Sequence, residues 1–117
     1  MGERLNWLSF QARVFGAAEG LVATPSDTGR PFHGLADGVD AADVRFGRLG
    51  YADAARSSYA IFARLREEGA IPAGVRFQVS FPTPLAVVAT FVRAEDRAAL
   101  EGPYTDALLG EVAEICA

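Results

Sequence analysis

The run VRFQVSFPTP, residues 75–84, sets the tightest limit on what this chain can fold into. Val75, Phe77 and Val79 alternate with Arg76, Gln78 and Ser80, the period-two pattern of a strand with one apolar side. Pro82 and Pro84 end it, because proline has no amide to donate to a ladder. No other stretch reads as extended with the same force; Val44–Leu49 offers only a short piece. A lone strand cannot satisfy its own backbone donors and acceptors. The pattern therefore predicts one strand of an α/β sheet whose other strands lie elsewhere.

The rest of the chain reads mainly as helix. Trp7, Phe10, Val14, Phe15 and Ala18 recur at helical spacing within Asn6–Leu21, with Asn6 as N-cap and Pro25 beyond the end. Residues 22–43 are dense in Gly, Pro, Ser and Asp and hold no period, which predicts an irregular loop of lid-like length. Tyr51–Glu68 is the clearest helix: Ala52, Ala55, Tyr59 and Phe62 form a stripe, and Gly69 stands where a C-terminal glycine cap belongs. Ile71–Gly74 is then a turn. Leu85–Val92 reads as a helical turn or a buried segment, and Ala94–Glu101 as a short helix broken by Gly102-Pro103. Pro103 is placed to start a last helix with a stripe of Tyr104, Leu108, Val112 and Ile115. The last helix runs to the final residue without a cap, and the start is equally abrupt. That predicts the middle of a longer protein.

Composition narrows the function classes. The net charge is −4, and the basic residues, all arginine, are scattered singly, so no stripe forms to attract a phosphate backbone. No apolar run reaches the roughly 18–20 residues of a membrane helix. The N-terminus lacks a signal peptide's apolar core. Cys116 is the only cysteine, so an internal disulfide is excluded and a reducing cytoplasm is the expected compartment.

VRFQVSFPTPLAVVATFV, followed by YTDALLGEVAEICA, resembles the superfamily of cobalamin-independent methionine synthase and uroporphyrinogen decarboxylase. The nearer likeness is to its methionine-synthase-like bacterial and fungal members, with the wording IPAGVRFQVS-x-PTPLA. GERLNW, residues 2–7, is similar to the end of that group's DGETGER-x-NW segment. The resemblance covers Gly2–Trp7 and about Tyr51–Cys116. It implies an α/β chain that is an incomplete segment of a (β/α)8 TIM barrel, helix-rich with one clear strand. The chain would be a single partial domain: first loop and helix at 1–21, irregular loop at 22–50, and a helix–strand–helix–helix unit at 51–117. Methyl transfer to a thiol, or related one-carbon chemistry, is the activity implied for full-length relatives. The chain alone is expected to be inactive. The synthases hold zinc through His, Cys and a carboxylate; no residues here match those ligands, so no metal site and no cofactor are assigned.

In that context Ser80, Pro82 and Thr83 stand where a barrel strand meets the following loop, the face at which ligands gather. Gln78, opposite the apolar side, is a candidate hydrogen-bonding partner for a ligand. Glu3 and Arg4 match the family's Gly-Glu-Arg at the mouth of the first loop. The blander readings are a proline-stiffened turn, a structural hydrogen bond and a solvated ion pair. Trp7 and Phe10 read as core, and nothing fixes what Gln11 faces. His33 reads as a surface loop histidine, Cys116 as a buried inert thiol, and Asp37, Asp40 and Asp43 as turn and cap residues. The alternative to the enzymatic reading is a stand-alone small α/β protein without catalysis. It would self-associate through exposed strand edges and either bind a small molecule at the Ser80–Pro84 corner or serve a structural role, or be a decayed gene product with no retained activity.

Overall fold

Asn6 opens the first helix by accepting the Ser9 amide at 3.2 Å, as an N-cap does. The computed structural model, which describes residues 6–117, then runs through helix α1 (Trp7–Ala17) and stops where Ala18 turns extended. Gln11 and Phe15 are its buried residues, whereas Trp7 remains 40 % exposed and meets Phe91 edge-on at 6.1 Å.

The segment expected to be an irregular loop is a hairpin. Strand β1 (Leu21–Thr24) pairs antiparallel with β2 (Phe32–Leu35), Leu21 opposite Leu35 and Thr24 opposite Phe32. Strands this short, with Ala23, His33 and Gly34 inside them, carry no alternating pattern to read. Tertiary bonds hold them instead. The Arg93 amide donates to the His33 carbonyl at 2.9 Å, the Arg93 guanidinium to the Leu35 carbonyl at 3.0 Å, and the Leu35 amide to Asp96 at 2.9 Å. Asp40 caps the 3-10 turn Ala41–Asp43 through the Ala42 amide, in keeping with its expected role.

Helix α2 (Tyr51–Glu67) follows the sequence pattern closely. Gly69 takes a left-handed φ of 80° past its end, and the amides of Gly69 and Ala70 fold back onto the Arg66 and Leu65 carbonyls. Thr83 caps helix α3 (Pro84–Phe91) by accepting the Ala86 amide at 3.2 Å, with Pro84 in the first turn. A 3-10 turn, Ala94–Asp96, leads into α4 (Arg97–Cys116). The expected break at Gly102-Pro103 does not occur: α4 runs through Pro103. Leu100, Tyr104, Leu108 and Glu111 are buried along this continuous helix, and that burial offsets the hydrogen bond a proline removes.

Phe15 centres the core. Its ring stacks on Phe91 at 5.2 Å and on Tyr104 at 5.7 Å, and meets Phe46 edge-on at 5.2 Å. Leu49, Val87, Val88, Val92, Leu100 and Leu108 close around these rings.

The expectation of a partial TIM barrel is overturned. The sheet among the described residues is one two-stranded antiparallel hairpin, not a parallel series of strands alternating with helices. Residues 75–80 form no strand: among the described residues they have no paired neighbour, and they lie against α2 rather than beside β1 or β2. A barrel strand needs a parallel partner on each edge, and the strands available here satisfy one another. The fold is a small mixed α/β arrangement of four helices and a hairpin among the described residues.

The molecule is long. Its radius of gyration is 16.7 Å, with extents of 55 × 30 × 19 Å, against roughly 13 Å for a compact chain of this length. No residue from Asp53 to Ala86 is buried. Most of α2 and the segment returning from it therefore stand as an arm outside the core.

Candidate functional site

The arm is built from a helix and an extended strap. Tyr59 and Phe62, three residues apart on α2, share one face. Past the turn at Ile71–Gly74, where the Val75 amide bonds the Pro72 carbonyl at 3.0 Å, the strap comes back along that face. Phe77 meets Tyr59 edge-on at 5.5 Å and Phe62 at 5.5 Å, and Phe81 meets Tyr51 at 5.5 Å. Phe77, Val79 and Phe81 are half-buried, while Arg76, Gln78 and Ser80 are exposed. The alternation expected of a strand is thus present in a segment that pairs with no other strand among the described residues.

Between α2, the strap and the end of α4 lies a groove of about 620 Å³. Tyr59, Phe62, Phe77, Val79, Val112 and Ile115 supply its apolar lining, and Arg56, Arg66, Arg76, Glu114 and Cys116 its polar lining. The charges at one end are spoken for. Arg48 binds Asp53 through two bonds of 2.9 Å and Glu114 through bonds of 3.0 and 3.2 Å. Arg56 reaches Asp53 at 3.4 Å and Glu114 at 3.6 Å. Hydrogen bonds from Arg48 hold both carboxyls below their ordinary pKa. Arg66 and Arg76 differ: among the described residues neither has a carboxylate partner, and the Arg66 guanidinium sits 5.3 Å from the centre of the Phe62 ring.

A second polar cluster ties the arm to the core. Glu111, only 5 % exposed, accepts the amides of Leu49, Gly50 and Ala52 at 2.7, 2.9 and 2.6 Å. Buried Gln11 donates to the Leu49 carbonyl at 3.2 Å and accepts the Tyr104 hydroxyl at 3.0 Å. Burial raises the pKa of both Tyr51 and Tyr104, whose hydroxyls also influence one another. The buried Tyr51 oxygen still lacks a well-formed hydrogen bond among the described residues. This cluster escaped the sequence reading, although one signal was there. Glu111 stands three residues after Leu108 and four before Ile115, an acid set into the apolar stripe of α4.

The sequence-predicted residues fall out as follows. Gln78 and Ser80 are exposed on the strap, Pro82 is half-buried, and Thr83 is exposed with its side chain used as the α3 cap. Glu3 and Arg4 lie outside the described residues. His33 is not a surface loop residue: it is buried in β2, 5.9 Å from the Phe15 ring, and desolvation lowers its pKa. Cys116 is exposed rather than buried, because the last turn of α4 extends past the core. Among the described residues no group of three or more His, Cys, Asp or Glu side chains is placed to hold a metal ion. No helix among them is long and apolar enough to cross a membrane. No protein family model matches this chain, and no curated protein or solved structure matches it either.

Proposed function

We propose that the chain is a self-associating, non-catalytic module in which a second copy pairs along the free edge of residues 76–81. One observation carries this reading. Among the described residues, the amides and carbonyls of residues 76–81 make no main-chain hydrogen bond, although their side chains alternate between exposed and half-buried. Such an edge is a template for another strand. The run is also self-complementary. An antiparallel pair centred on Gln78 sets Phe77 opposite Val79, Val75 opposite Phe81 and Arg76 opposite Ser80. Apolar side chains then face apolar ones, no like charges are opposed, and the whole run is used. Pro82 and Pro84 stop the ladder at the same place in each copy. A single thiol suits a reducing compartment such as the cytoplasm. Thiol methylation rests on the RFQVS-x-PTP resemblance alone, and no contact in the groove adds to it.

Sedimentation equilibrium of the chain over a concentration series tests the pairing. The expected result is a species of twice the chain mass. Gln78→Pro removes an amide that makes no main-chain bond among the described residues, so it should leave the fold intact and return the monomer. Ser80→Arg sets a second guanidinium opposite Arg76 and should weaken the dimer, more so at low salt. A wild-type chain that stays monomeric at several hundred micromolar overturns the proposal.

A further inference from the structure

We propose that the groove beside the strap binds a small amphipathic carboxylate, its apolar body on the aromatic floor and its acid group on Arg66 and Arg76. The observations behind this are separate from those behind self-pairing. The volume, about 620 Å³, is that of a small-molecule site. The floor of Tyr59, Phe62, Phe77, Val79, Val112 and Ile115 suits an alkyl or aryl body. The polar lining selects the sign of the charge. Asp53 and Glu114 are already neutralised by Arg48 and Arg56, which leaves no uncompensated negative charge at that end. Arg66 and Arg76 remain without carboxylate partners among the described residues, in a chain whose net charge is −4. Two guanidinium groups that line the groove and lack carboxylate partners among the described residues form, with its apolar floor, the complement of an amphiphilic anion. The guanidinium fork donates to both oxygens of a carboxylate, which a hydroxyl or a neutral ester cannot match.

Cys116 supplies the test. It lines the groove, it is exposed, and it is the only cysteine of the chain. The rate at which it reacts with the neutral disulfide 4,4′-dithiodipyridine reports whether the groove is filled. The probes are decanoate and 4-phenylbutyrate, with decanol and 4-phenylbutanol as their uncharged counterparts. The comparison of the two acids distinguishes an alkyl from an aryl body. The measurement is made in the Gln78→Pro background, so that self-pairing neither protects the thiol nor confuses a failure.

The expected result is saturable slowing by at least one of the acids, with its alcohol about tenfold weaker. Arg66→Gln and Arg76→Gln should each weaken the acid by about tenfold, the size of one lost charged contact. Arg64→Gln is the control, since Arg64 lies outside the groove lining and pairs with Glu68 at 3.9 Å. Three results overturn the proposal: no protection by either acid at millimolar concentration, alcohols as effective as acids, or equal losses in Arg64→Gln and the two groove variants.

Discussion

Replacing Glu111 by alanine strands three main-chain amides where α2 begins. Leu49, Gly50 and Ala52 donate to this carboxylate at 2.7, 2.9 and 2.6 Å. Leu49 and Ala52 are buried, so water reaches them poorly, whereas Gly50 is only half-buried and rehydrates more easily. A buried donor left without an acceptor costs about 1–3 kcal/mol, so the two buried amides set the loss at roughly 2–6 kcal/mol. A domain of this size holds about 5–15 kcal/mol in all, which leaves the variant near its threshold. Glu111→Gln keeps the volume but turns an amide nitrogen toward one of the three donors. Its cost should be smaller, about 1–3 kcal/mol. Urea unfolding followed by circular dichroism reads the difference. With a slope of about 2 kcal/mol per molar, a loss of about 4 kcal/mol moves the midpoint down by about 2 M. The expected order is wild type, then glutamine, then alanine, with the exposed Glu114→Ala close to wild type. An alanine variant whose midpoint stays within about 0.3 M of wild type refutes the view that this carboxylate anchors the arm.

Two further outcomes follow from the same packing. Gly50 has a φ of 95°, and an added Cβ would collide with the Phe10 ring, so Gly50→Ala should cost about 2–4 kcal/mol. Gly47, at a φ of 65° with open space around it, should cost only about 1 kcal/mol when changed to alanine; equal losses at the two sites in urea melts would remove the ring from the argument. His33 gives a pH dependence. Its folded pKa lies below 6.5 through desolvation, so well above pH 6.5 it is neutral in both states and contributes nothing. As pH falls below 6.5 the unfolded chain takes up the proton first, and stability drops until the folded pKa is passed. Thermal melts between pH 7 and 5 should slope downward in wild type and less in His33→Gln. Equal slopes would refute the assignment.

Local signals in the sequence reached α2 in full, together with the caps at Asn6 and Asp40 and the glycine past Glu67. These features depend on neighbours within one or two turns. The hairpin was invisible because its strands have four residues each and owe their place to Arg93 and Asp96, far along the chain. Pro103 misled because helix propensity is local, whereas the burial of Leu100, Tyr104 and Leu108 comes from the other helices. The strap shows the same division within a single segment. Its alternation was legible, and half-buried Phe77, Val79 and Phe81 follow it.

The sequence by itself determined the helical stripes, the caps, the charge sign and the alternation of residues 76–81, since each follows from residue spacing and backbone chemistry. Tertiary structure alone decided that this run has no strand beside it among the described residues. It also decided that Glu111 and Gln11 are buried anchors and that Arg66 and Arg76 overlook an apolar groove. The reason is physical: spacing fixes which side chains share a face, but burial and pairing depend on what the rest of the chain brings against that face.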